Sequence, residues 1–156
     1  MPKAGLENGV WVLVCDGRKA ILLQNAGDRV YPKLETRRVT EHSTRPTHEL
    51  GTDEPGRTFS RAYGAQRSAM EPTDLERLSE EAFLKDVTAD LDRKVISGQI
   101  KHVILVAPPR ALGVIRQHET AHLRGAVLAE VERDYVREPL YEIERHLTEA
   151  FSERGG

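Results

Sequence analysis

Val103-Ile104-Leu105-Val106 runs straight into Ala107-Pro108-Pro109-Arg110-Ala111-Leu112-Gly113, and this stretch decides the fold. Four consecutive apolar, mostly β-branched residues between polar flanks predict a central strand covered on both faces. Two prolines then end the strand ladder, and proline is tolerated in the first turn of a helix. Strand, sharp exit and helix form the unit on which α/β proteins place ligands, at the carboxyl ends of strands.

Working outward, residues 10–15 (Val-Trp-Val-Leu-Val-Cys) predict a first strand, and Asp16-Gly17 a tight turn into a partner over residues 20–24. Asn25-Ala26-Gly27-Asp28 predicts the next turn, and residues 30–39 a third strand with one wet face. From about 41 to 56 the periodicity disappears, and His, Ser, Thr, Pro and Gly predict a mobile loop. Thr73-Asp74-Leu75-Glu76 reads as a capping box opening a helix over 73–97 that ends at Gly98. Leu75, Leu78, Ala82, Phe83, Val87, Leu91 and Val95 supply its apolar positions. Beyond Val106 the pattern predicts a helix over 108–117, a short helical piece near 120–125 and a strand over 126–133. A last amphipathic helix opens at Glu138-Pro139 and uses Leu140, Ile143, Leu147 and Phe151, with a ragged end over 152–156. This order predicts a single α/β domain spanning 1–156, a mixed sheet flanked by helices, of the ribonuclease H-like kind.

Composition narrows the function. A net charge of −2 over 156 residues gives no global pull toward polyanions, so a polyanion site must come from local clustering. No apolar run approaches a bilayer span and the start has no signal-peptide core, which points to a cytoplasmic chain without a membrane role. The single cysteine, Cys15, excludes an internal disulfide and sits among apolar neighbours as a packed small hydrophobe.

His118-Glu119-Thr120-Ala121-His122 matches H-E-x-x-H, and Gly125 falls where the longer metalloprotease pattern has glycine. On one helix, the two imidazoles would bind zinc and the glutamate would polarise the metal-bound water. Leu128 stands where the third histidine belongs, leaving Glu142, Glu144 or Glu149 as substitutes. Thr120, however, is a better N-cap than a mid-helix residue, and a helix break there would set the imidazoles on different axes.

Asp16-Gly17-Arg18-Lys19-Ala20, Thr52-Asp53-Glu54-Pro55-Gly56-Arg57, the run from Gly64 to Pro72 followed by Thr73-Asp74, and the segment from Val103 to Gly113 occur in that order. Together they resemble the bacterial host attachment proteins, described as required for attachment to host cells, over about residues 10–147. That family is in turn similar to the ribonuclease H-like central domain of archaeal and eukaryotic class-1 translation release factors. There a Gly-Gly-Gln loop enters the peptidyl-transferase centre and its glutamine positions water. This chain carries Gly64-Ala65-Gln66 at the corresponding place; alanine reaches the required backbone angles only at a cost, so the resemblance implies RNA or ribosome binding rather than hydrolysis.

Arg57, Arg61 and Arg67, with Tyr63 among them and Gly64 and Gln66 at the tip, have the chemistry for RNA. Guanidinium forks pair with phosphate, and an aromatic stacks on an unpaired base. Arg110, beside the new helix's amides, either holds an anion or is buried to orient its loop. Asp16 is a turn residue, or else the first-strand aspartate with which ribonuclease H-like nucleases bind magnesium. The leading expectation is a non-enzymatic RNA- or ribosome-associated module that needs no cofactor. Its rivals are a hydrolase, through His118, Glu119 and His122 with zinc or through Gln66 on a peptidyl ester, and a domain whose outer helices bind a protein partner.

Overall fold

The computed structural model describes residues 5–42 and 72–155. Strands β1 (Trp11–Cys15), β2 (Lys19–Asn25) and β3 (Leu34–Glu41) come first, then helix α1 (Pro72–Ile96) and strand β4 (Val103–Ala107). Helices α2 (Pro109–His118) and α3 (Ala121–Ala126), strand β5 (Val127–Glu132) and helix α4 (Leu140–Gly155) follow. The element order matches the sequence reading throughout the described residues.

The five strands make one mixed sheet in the order β3-β2-β1-β4-β5. β1 pairs antiparallel with β2 and β2 with β3, whereas β4 runs parallel to both β1 and β5. Every residue of β1 and β4 is buried, as expected of central strands covered on both faces. The strand period of two divides their side chains between two cores. Leu13, Cys15, Val103 and Leu105 face Phe83, Leu84, Val87 and Leu91 of α1, Leu112 and Ile115 of α2, and Leu123 of α3. Val12, Val14, Ile104 and Val106 face Ile143, Leu147 and Phe151 of α4, together with Leu6 and Val136.

Asp16 carries the first turn, its Oδ1 accepting from the amides of Arg18 (2.8 Å) and Lys19 (2.9 Å). Gly17 matters for packing as well as turning, because a Cβ there would lie 2.8 Å from the side chain of Glu80 on α1. Burial, with the charge of Asp16 adding to it, pushes the Cys15 thiol up to about 12.

β3 starts at Leu34 rather than Val30, because Asp28 Oδ1 accepts from the Val30 and Tyr31 amides and folds both into a turn. Their side chains are 69% and 79% exposed despite high strand propensity. The far end of β3 also runs to Glu41, beyond the predicted end near Val39, and His42 still donates its amide to the Arg18 carbonyl at 2.7 Å.

α1 packs with only part of its expected apolar set. At about 100° per residue, Leu75, Leu78 and Ala82 share one face, while Phe83, Leu84, Val87, Leu91 and Val95 share nearly the opposite one. Only the second set is packed against the sheet; Leu78 is 53% exposed and Ala82 is exposed. Gly98 terminates α1 as expected, with φ of +89° and its amide donating to the Val95 carbonyl at 3.0 Å. On α4, Ile143, Leu147 and Phe151 are buried, but Leu140 is 37% exposed at the helix entrance.

Candidate functional site

Side by side at the middle of the sheet, β1 and β4 end in Asp16-Gly17-Arg18 and Pro108. A cleft of about 250 Å³ opens there, bounded by α1 and the start of α2. Arg18 enters it from the β1–β2 turn, Arg77 from α1, Arg110 from α2 and Arg137 from the turn before α4. Asp16, Glu80 and Glu81 also line it.

Two of these carboxylates have partners. Asp16 is committed to its turn amides, and Arg18 reaches both Glu76 and, at 3.7 Å, Glu80. Arg77, Arg110 and Arg137 are exposed and make no ion pair or hydrogen bond with the described residues. Three guanidinium groups with no ion pair among the described residues therefore converge on one opening, beside Asp16, Glu80 and Glu81, so arginines outnumber acids there by four to three.

The start of α2 reinforces this. Pro108 at the cap has no side-chain hydrogen bond to offer, Pro109 has no N–H, and the first turn holds no acid. The first helical amide is that of Leu112, bonded to the Pro108 carbonyl at 3.0 Å, which leaves the amides of Arg110 and Ala111 without a helical acceptor. Arg110 is exposed on this turn, not buried as a loop-orienting residue. Such an arrangement can hold the oxygens of a phosphate or another compact anion.

The other candidates from the sequence fall in three places. Arg57, Arg61, Tyr63, Gly64, Gln66 and Arg67 lie outside the described residues, as does most of the 41–56 segment. Asp16 holds its turn, and no group of three metal-ligating side chains among the described residues includes it.

His118, Glu119 and His122 are split by a helix junction. α2 ends at His118, Glu119 is extended (ψ 147°), and Thr120 caps α3 by accepting from the Leu123 amide at 3.3 Å. Thr120 Oγ1 also donates to Oδ1 of the buried Asp92 on α1 at 2.7 Å, anchoring the break to the core. His118 and His122 are exposed on separate helices. The Glu119 side chain is 7% exposed, lies 3.4 Å from Arg124, and leaves Oε1 without a partner among the described residues. Leu128, at the third-ligand position of the long pattern, packs on the α4 side of β5.

A larger groove of about 520 Å³ lies between α1 and the outer strands, floored by Leu13, Leu22, Phe83 and Val87. Its rim carries both signs with acids in excess, Arg38 and Arg93 against Glu41, Asp86 and Asp90, whereas in the smaller cleft arginines are in excess. Sequence reading placed Arg110 at this cleft but missed Arg18, Arg77 and Arg137. The only signal that could have found them was the rule that ligands bind at strand carboxyl ends, applied with the correct strand order.

No helix among the described residues is long and apolar enough to cross a membrane. No curated protein matches the chain. A family model described as "Protein required for attachment to host cells" matches residues 11–147, which takes in the whole sheet and the cleft at its centre. The chain belongs to that host attachment family.

Proposed function

We propose that this host-attachment-family protein is a non-enzymatic module that binds RNA, free or on the ribosome, through phosphate contacts at the central cleft. The observation that carries the reading is the convergence of Arg77, Arg110 and Arg137 on one opening with no anionic partner among the described residues. Arg57, Arg61 and Arg67 precede α1 in the chain, and α1 supplies Arg77, so an arginine-bearing stretch of sequence and the arginine-lined cleft are neighbours in sequence. The strand order, two antiparallel pairs followed by two parallel ones, supports a ribonuclease H-like fold related to the release-factor central domain. Ala65 in place of the second loop glycine supports binding without hydrolysis.

A second reading rests on the exposed face of α1. Exposed Leu78, with half-buried Leu75 and with Ala82 at the rim of the larger groove, forms an apolar stripe outside the packed core, fitting a protein partner. Co-sedimentation with ribosomes through a sucrose cushion at low salt separates the two. Wild-type protein is expected in the pellet, the Arg77→Ala/Arg110→Ala/Arg137→Ala variant in the supernatant, and Leu78→Asp still in the pellet. Wild-type protein that stays in the supernatant and binds no free RNA overturns the proposal. Loss of sedimentation in Leu78→Asp with retention in the triple variant transfers the function to the α1 stripe.

A further inference from the structure

Glu138, Glu142 and His146 bring one carboxylate oxygen each and one imidazole nitrogen within 4.8 Å of one another, the one such trio among the described residues. We infer that this trio is a binding site for a zinc-class divalent cation, distinct from the His118–His122 pair.

Local structure fixes each ligand. Glu142 and His146 lie four residues apart on α4, hence one above the other on one face. Glu138 sits in the entering turn, where its amide donates to the Tyr135 carbonyl at 3.0 Å, while the amides of Glu142 and Ile143 close on the Pro139 carbonyl. Both supports are anchored in the core, the turn by Val136 and the helix by Ile143 and Leu147. Tyr135 stacks on the His146 ring at 4.4 Å between centroids and 11° between planes, which sets the plane of the imidazole.

The spacing suits an ion. Two ligands about 2.1 Å from a tetrahedral zinc stand about 3.4 Å apart. His146 Nε2 and Glu138 Oε1 are 3.2 Å apart, already at that span. Glu142 shares its Oε1 with Arg145, whose guanidinium also reaches Glu149 at 3.5 Å. Arg145 can therefore release Glu142 toward the ion and keep a partner. One imidazole with two carboxylates favours zinc-like borderline metals over magnesium, which prefers all-oxygen shells, and water would complete the coordination. All three side chains are part-exposed, so entry is open.

Bound there, the ion would clamp the 135–139 turn to α4. Arg137 lies in that turn and lines the central cleft. This link to the cleft rests on the function proposed above; the ion's binding does not.

Isothermal titration of metal-free protein with zinc chloride tests the site. One equivalent is expected to bind in wild type, about tenfold or more weakly in His146→Ala and in Glu138→Gln, and unchanged in His118→Ala/His122→Ala. Magnesium chloride at the same concentration should give no saturable heat. Absence of zinc binding to wild type, equal binding in both site variants, or loss in the His118/His122 double variant would overturn the assignment. Glu138→Gln changes a part-exposed turn residue, so it reports on the site even if His146→Ala disturbs α4. RNA affinity that rises on adding zinc supports the clamp; zinc binding without that rise retains the site and removes its link to the cleft.

Discussion

Thr120 Oγ1 accepts from Leu123 and donates to Asp92, so one hydroxyl both starts α3 and satisfies a buried carboxylate. Removing it strips a helix cap, worth about 1 kcal/mol, and leaves a buried acceptor unpaired, worth about 1–3 kcal/mol. Thr120→Ala should therefore lower stability by about 2–4 kcal/mol in urea titrations, and Thr120→Ser should recover most of it. Loss below about 0.5 kcal/mol would mean that the junction does not depend on this residue. Cys15 makes a second residue-scale prediction. Its folded thiol titrates near 12, against 9.0 ordinarily, so the unfolded chain loses its proton first as pH rises. The stabilisation is whole below pH 9 and is eroded between about 9 and 12, at about 1.4 kcal/mol per unit. Alkaline unfolding of wild type should accordingly be steeper than that of Cys15→Ala, and a thiol reagent at pH 8 should label Cys15 only on unfolding. Rapid labelling of folded protein would contradict its burial.

At the scale of elements, α1 distinguishes apolar residues that pack from apolar residues that merely recur. Leu84→Ala deletes a side chain 3% exposed in the core facing the sheet and should cost about 2–5 kcal/mol; Leu78→Ala, at 53% exposure, should stay within about 0.5 kcal/mol. Comparable losses at the two positions would show that the helix phase is wrong. The same contrast marks what sequence could reveal. β1 and β4 were legible because buried central strands are apolar on both faces, and Thr120 because a cap residue broke an otherwise plausible metal helix. The start of β3 was not, since Val30 and Tyr31 have strand propensity and the Asp28 carboxylate overrides it by bonding their amides. On α1, three- and four-residue spacings joined Leu75, Leu78 and Ala82 to Phe83 and Val87, yet spacing within each set says nothing about the angle between sets.

Across the whole molecule, the candidate site is a product of topology. Arg18, Arg77, Arg110 and Arg137 come from four segments spread over the chain, and no local pattern joins them. They meet because β1 and β4, far apart in sequence, lie side by side and end together beneath α1. Likewise Glu138, Glu142 and His146 become a trio only once a turn packs against the helix that follows it. This chain thus gathers four arginines at the centre of its sheet despite a net charge of −2. The salt dependence of binding to a labelled, unstructured single-stranded RNA tests that chemistry most directly, because each phosphate contact contributes about 0.7 to the slope of log affinity against log salt. Replacing Arg77, Arg110 and Arg137 with alanine should weaken binding and lower that slope by about 2. An unchanged slope and affinity in the triple variant would contradict the account.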